Sequence, residues 1–154
     1  MTGRLAQVVY TLTQFPTVSK GVVFKLDGKV VTVFGGEGIM LTHPQKRSDY
    51  ESVTPPIFVD GPAAFGAVTG STLKASGTAD VFEATFRARL VDAAGNKLAE
   101  KTVMATSGSG TRGTFNFTMP VSGSAVSGKL IVWDDSMKDG SPLHKVTIPL
   151  TFTH

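Results

Sequence analysis

The side chains best equipped for chemistry in this chain are the carboxylates and hydroxyls of Asp134-Asp135-Ser136-Met137-Lys138-Asp139-Gly140-Ser141. A hard cation such as calcium needs several carboxylate and carbonyl oxygens around it. Met137 and Lys138 stand where oxygen ligands would be required, and no glutamate follows at the distance an EF-hand loop demands. The segment therefore reads as a turn whose side chains bond to neighbouring backbone, and no metal ligand is assigned. Asp134 alternates with Leu130 and Val132, which gives it a partly buried, hydrogen-bonded anchoring role rather than a catalytic one.

Other candidates for catalysis fall away one by one. His43, His144 and His154 lie in unrelated contexts without the paired spacing of a zinc site, so they read as surface histidines. Serines are plentiful, but no Gly-x-Ser-x-Gly elbow occurs, and Ser107-Gly108-Ser109-Gly110 reads as a loose loop unable to hold a strained nucleophile. Gly35-Gly36-Glu37-Gly38 lacks the strand, lysine and helix of a phosphate loop and reads as a turn. A wall hydrolase would need paired carboxylates in a cleft. Glu83 and Asp134 come nearest, and nothing in the sequence places them together. No catalytic residue, cofactor or metal is assigned.

Trp133 is the residue for which a functional role competes seriously. Alternation puts Ile131 and Trp133 opposite the Leu130 and Val132 face. With Leu130 and Val132 inside, Trp133 lies on an outer surface, where a large aromatic can bind a glycan or a partner. The competing reading packs it under a helix of the first segment or a neighbouring loop.

The elements that must position these residues have two different grammars. Leu5, Val8, Val9 and Leu12 recur at helical spacing, and Phe15-Pro16 ends the helix. Gly21 to Leu26 and Lys29 to Phe34 are β-like runs joined by Asp27-Gly28, a two-residue hairpin signal. Ser48-Asp49-Tyr50-Glu51 has capping-box spacing and starts a short helical turn, after which Pro55-Pro56 marks a boundary. Residues 1–54 thus form a small α+β segment, and residues 55–154 a domain of short strands.

In that second part the strands are expected at Ile57 to Val59, Thr72 to Thr78, Phe82 to Leu90, Lys97 to Thr106, Gly113 to Met119, Lys129 to Trp133 and His144 to Phe152. Every second residue of Phe82-Glu83-Ala84-Thr85-Phe86-Arg87-Ala88-Arg89-Leu90 is apolar, so Phe82, Ala84, Phe86, Ala88 and Leu90 are expected inside and the other face wet. Phe115, Phe117 and Met119 point inward, as do Val146, Ile148, Leu150 and Phe152. Pro149 requires an edge strand or a nitrogen turned away from its neighbour. About seven such strands with a turn near every tenth residue predict a mainly β fold, an immunoglobulin-like antiparallel sandwich closed by two apolar faces without a disulfide.

The chain has 154 residues, a formal charge of +3 and no cysteine. Its cations are scattered rather than striped, so nucleic acid is not implied, and no apolar run is long enough to span a bilayer. The missing cysteine fits a reducing interior or a Gram-positive exterior and leaves the compartment open.

Four stretches in combination make the second part similar to a known family: Ile57-Phe58-Val59-Asp60-Gly61-Pro62, Ser76 to Phe86, Arg112-Gly113-Thr114-Phe115 and Asp135 to Ser141. That family is the immunoglobulin-like domain of bacterial spore germination. Through Gln7 to Phe15 and Val23 to Gly28, the first part resembles the C-terminal portion of the GerM-type sporulation and spore germination domain. The two commonly occur in this order. The resemblance implies a spore or cell-envelope protein of Gram-positive bacteria, usually exported and often membrane-anchored, without catalytic residues. A GerM-type domain normally begins well before the point where Met1 stands, so the first half is expected to be missing and Met1 to mark a truncation, which would account for the lack of a visible export signal.

Together these readings make the chain a non-catalytic extracytoplasmic binding or scaffolding module acting on envelope or spore proteins. A glycan- or peptidoglycan-binding module is the alternative, with Trp133 and Ile131 as the candidate surface in either case. A homodimer is also expected, because the stripe Leu5, Val8, Val9 and Leu12 needs cover and a shortened domain exposes a strand edge.

Overall fold

The computed structural model describes residues 1–15, 21–121 and 126–153. Pro16 and His154 therefore lie outside the described residues. The chain divides into two compact units, Met1–Thr54 and Pro55–His154.

In the first unit, helix α1 spans Thr2–Leu12 and buries Leu5, Ala6 and Val9. These join Val22, Leu41 and Tyr50 in a small core that belongs to this unit. Helical spacing predicted a four-residue stripe, but the buried arc is centred one position away. Ala6 is inside, whereas Val8 and Leu12 stay 41% and 40% exposed. The last turn is closed by Thr13, whose hydroxyl donates to the Val9 carbonyl at 2.6 Å.

Strands β1 (Lys25–Leu26) and β2 (Lys29–Val30) pair across Asp27 and Gly28. Both turn residues have positive φ, 47° and 79°, as the favoured two-residue hairpin turn requires. Val22, Phe24 and Leu26 alternate along the first run but do not share one buried face. Val22 is buried and Phe24 packs against the core, but Leu26 is exposed. A second hairpin, β3 (Val33–Phe34) with β4 (Ile39–Met40), turns through the glycine-rich run. The following 3-10 helix covers Arg47–Val53 and starts earlier than the capping-box spacing at Ser48 suggests. Its first turn is fixed by Asp49, whose carboxylate accepts the Lys46 backbone N–H at 2.7 Å.

The second unit is a two-sheet sandwich. Strands β5 (Ile57–Gly61), β7 (Thr72–Ala79) and β10 (Gly113–Pro120) form one sheet in the order β10-β7-β5. The other sheet runs β6-β12-β11-β8-β9, with β6 (Gly66–Thr69), β8 (Thr85–Asp92), β9 (Lys97–Met104), β11 (Ser127–Asp135) and β12 (Pro142–Thr153). All pairs are antiparallel except β6 with β12. The chain leaves the three-stranded sheet at Gly61-Pro62, a cis peptide, and joins the five-stranded one at Gly66.

Period-two burial generates the core. Phe86, Ala88, Leu90, Leu130, Val132, Leu150 and Phe152 of one sheet meet Leu73, Ala75, Phe115, Phe117 and Met119 of the other, with Val146 and Ile148 partly buried against them. The Phe86 and Phe115 rings join the sheets edge to face at 4.9 Å. Pro149 sits where β12 gains its second neighbour, and its carbonyl accepts the Phe65 N–H at 2.7 Å. That carbonyl faces β6, so the missing Pro149 N–H costs the β11 ladder nothing.

One inward expectation fails. Phe82 is 49% exposed, because Phe82–Ala84 form a 3-10 turn and not the start of β8. Glu83 and Ala84 both adopt left-handed φ, 52° and 55°, which breaks the alternation before Thr85. The turn is held by the 107–110 segment, which is tightly docked rather than loose. Ser109 Oγ accepts the Glu83 N–H at 3.0 Å, and the Ser109 N–H donates to the Val81 carbonyl at 3.0 Å.

Candidate functional site

With Leu130 and Val132 in the core, the opposite side of β11 carries Ile131 and Trp133 onto the outer face of the five-stranded sheet. Register brings Arg89 beside Ile131, Arg87 beside Trp133, Thr147 on the other flank of Ile131 and Glu100 across from Arg89. The β11–β12 register shifts between Val132 and Asp134, and Trp133 and Asp134, consecutive in sequence, are both buried.

Trp133 is only 9% exposed. The Arg89 guanidinium lies 5.0 Å from the indole centroid, a cation–π contact. The indole N–H donates to Asp135 Oδ1 at 3.1 Å, while Arg87 Nε donates to Asp135 Oδ2 at 2.6 Å. Glu100 plays the matching role on the other side. Its Oε2 accepts from Arg89 Nε at 2.9 Å, with Lys97 Nζ at 3.7 Å, and its Oε1 lies 3.7 Å from Arg87. The hydrogen bond from Arg89 holds the Glu100 carboxyl below the ordinary glutamate range, and the Asp135 bond raises the Arg87 pKa further.

This network surrounds a surface hollow of about 450 Å³, with Trp133, Ile131 and Pro142 as its apolar part and Arg87, Arg89 and Lys145 as its cations. Its size is that of a ligand or side-chain recess. It offers donors, charge and an aromatic surface, but no paired general acid and base.

A second hollow of about 190 Å³ is walled by Phe82, Glu83, Thr85, Thr102, Asp134 and Met137. The structure thus brings Glu83 and Asp134 to one cleft, which local sequence did not reveal. Asp134 is already engaged, however, since its Oδ1 lies 2.8 Å from His144 Nδ1, and it is 6% exposed. The anchoring role read from alternation is what this geometry describes.

The acidic loop is a hydrogen-bonded turn. Asp139 Oδ1 accepts the Ser141 hydroxyl at 2.7 Å and its N–H at 3.1 Å, which lowers the Asp139 pKa. Ser136 Oγ accepts the Lys138 N–H at 3.2 Å. Among the described residues no group of three or more His, Cys, Asp or Glu could hold a metal ion. Of the other histidines, His43 lies on the first unit, 3.8 Å from Asp49.

Comparison with protein families places this geometry. Residues 56–141 match the model of the immunoglobulin-like domain of bacterial spore germination. The chain belongs to that family. The matched stretch runs from the start of β5 through the turn after β11 and includes Arg87, Arg89, Glu100, Trp133 and Asp135, while Lys145 lies beyond it. The spore-germination immunoglobulin-like family has a non-enzymatic fold, and no catalytic family is indicated. Its match does not reach the first unit, so the GerM-type resemblance there stands on the quoted residues alone. No curated protein matches the chain. Among the described residues no helix is long and apolar enough to cross a membrane.

Arg87 and Arg89 are legible in the sequence only as part of the wet face of their strand, and nothing there singles out Glu100 or Lys145. The available hint was two arginines flanking a buried alanine in β8. Which strand lies beside β8 is a long-range fact that no local pattern carries.

Proposed function

We propose that this chain is a non-catalytic binding or scaffolding module of the bacterial cell envelope or spore, working outside the cytoplasm by protein–protein contact through the outer sheet face around Ile131 and Trp133. The observation that carries this reading is the hollow beside Trp133, whose lining combines Ile131, Trp133 and Pro142 with arginines held by Asp135 and Glu100, Arg89 lying over the indole. Aromatic and arginine side chains held rigid at a recess are the composition of protein-interaction hot spots. Family membership supports the spore or envelope setting. So does the resemblance of the first unit to the GerM-type domain, which favours a Gram-positive source and an exported, anchored whole protein.

Glycan binding remains tied to Trp133. A sugar stacking on the indole would have to displace the Arg89 guanidinium, which makes a protein surface the better fit. The test immobilises the full chain beside Ile131→Asp and Trp133→Ala variants and passes over them, in parallel, detergent-extracted envelope proteins and purified cell wall. Retention of an envelope protein that is lost with Ile131→Asp, without retention of cell wall, supports the proposal. Cell-wall retention that disappears with Trp133→Ala establishes the glycan reading instead.

Self-association belongs to the same proposal in a narrower form than the sequence stripe suggested. Leu5 and Val9 are used by the unit's own core, which leaves Val8 and Leu12, one turn apart and exposed, for a second copy. Sedimentation should show concentration-dependent dimers that weaken with Leu12→Ser. A monomer at high concentration removes the idea.

A further inference from the structure

We infer that the hollow beside Trp133 takes an acidic segment of a partner protein, with one carboxylate side chain meeting Lys145 and Arg87 and an adjoining apolar side chain lying on Ile131 and Pro142. This rests on the reading of the outer face as the interaction face and names the chemistry it selects.

Charge is the first ground. Four cations, Arg87, Arg89, Lys97 and Lys145, gather at or beside the hollow against two carboxylates, Asp135 and Glu100. The excess is positive. Lys145 is exposed and has no acceptor among the described residues. Both carboxylates are already occupied, Asp135 by the indole N–H and Arg87, and Glu100 by Arg89 and Lys97. What the site has in surplus is N–H donors, because each guanidinium carries five and is tethered here mainly through Nε. A surplus of fixed donors selects an acceptor, and a carboxylate accepts from a guanidinium with the best geometry.

The second ground is the mixed character of the recess. Its volume of about 450 Å³ exceeds what one carboxylate fills, and its lining includes the apolar side chains Ile131, Trp133 and Pro142 beside the cations. An acidic residue next to an aliphatic or aromatic one uses both. A highly charged polymer does not, since Asp135 and Glu100 would repel its successive charges while only Lys145 stood unpaired. Because the arginines are held before any ligand arrives, little side-chain ordering is left for binding to impose.

The experiment selects a random dodecapeptide phage library on the full chain and resynthesises the enriched peptides. Their affinities are read from the emission of Trp133, the single tryptophan. The expected pool is enriched in Asp or Glu beside an apolar residue, shifts Trp133 emission, and loses about tenfold or more in affinity for Lys145→Glu. Rescue by Lys145→Arg completes the expected pattern. A pool that shifts Trp133 emission but lacks acidic enrichment, or binds Lys145→Glu equally well, overturns the inference and leaves the outer-face reading standing. Peptides that leave Trp133 emission unchanged count against both. Polyphosphate displacing the peptides at lower concentration, with the same dependence on Lys145, overturns the inference in favour of an anionic polymer.

Discussion

Phe82 and Phe86 stand in one alternating run, yet only Phe86 is expected to matter to stability. Phe86 is 1% exposed and meets the Phe115 ring of the opposite sheet at 4.9 Å, so truncation to alanine opens a void between two sheets that cannot easily collapse. Losses for such buried aromatic truncations run to about 3–5 kcal/mol, and the edge-to-face partner puts Phe86→Ala toward the upper part of that range. Phe82 is about half exposed on a turn fixed by backbone bonds to Ser109 and Ala105, and Phe82→Ala should cost about 1 kcal/mol or less. The assay is urea unfolding followed by tryptophan emission. Trp133 lies in the second unit, while both tyrosines, Tyr10 and Tyr50, lie in the first, so the two units report separately. For a domain of this size, Phe86→Ala should lower the tryptophan midpoint by about 2 M urea, and the tyrosine signal should change little. Equal midpoints for the two variants would refute the reasoning, because they would mean that alternation runs unbroken through residues 82–90.

Acid should weaken the sandwich. Asp92, Glu100 and Asp139 have folded pKa values below their ordinary ones, held down first by Asn96, Arg89 and Ser141 respectively. The unfolded chain therefore takes up protons first, so this stability is complete above the unfolded carboxylate values near 4 and falls as the pH drops below them; a urea midpoint flat from pH 6 to 3 would contradict it. Gly77→Ala should prevent folding of the second unit or cost about 3 kcal/mol or more, since an added methyl would meet the Phe58 carbonyl and stand 2.7 Å from Phe115 Cζ between β5 and β7; a change within 1 kcal/mol of wild type, read by tryptophan emission, would show that this approach relaxes. Gly28→Ala, at φ 79° in the first hairpin, should lower the tyrosine-reported unfolding free energy by about 1 kcal/mol and leave the tryptophan transition in place.

Much of the sandwich could be read from side-chain alternation, because a strand buried on one face writes that face into every second residue. Gly113 to Met119 and Lys129 to Val132 are examples, and their inward residues are the ones found in the core. The signal fails where the backbone departs from the pleat. At Phe82 two successive left-handed residues turn the chain out of register, and nothing about Phe-Glu-Ala as residue types announces this. Helical spacing located α1, but a helix of eleven residues offers several arcs, and only its packing partners Val22, Leu41 and Tyr50 decide that Ala6 is inside and Leu12 outside. Trp133 stood out in the sequence as a single large aromatic. Its companions Arg87, Arg89 and Glu100 did not, since their meeting depends on β8 lying between β11 and β9.

The claim that the Trp133 side of the five-stranded sheet is the working face can be tested by photo-crosslinking in the native envelope. One photoreactive residue replaces Thr147, exposed beside Ile131, and another replaces Asn116, exposed on the outer side of the three-stranded sheet. The account predicts a discrete protein adduct from position 147, lost when Ile131→Asp is added, and none from position 116. Adducts of equal yield from both positions, or one from position 116 alone, would contradict it.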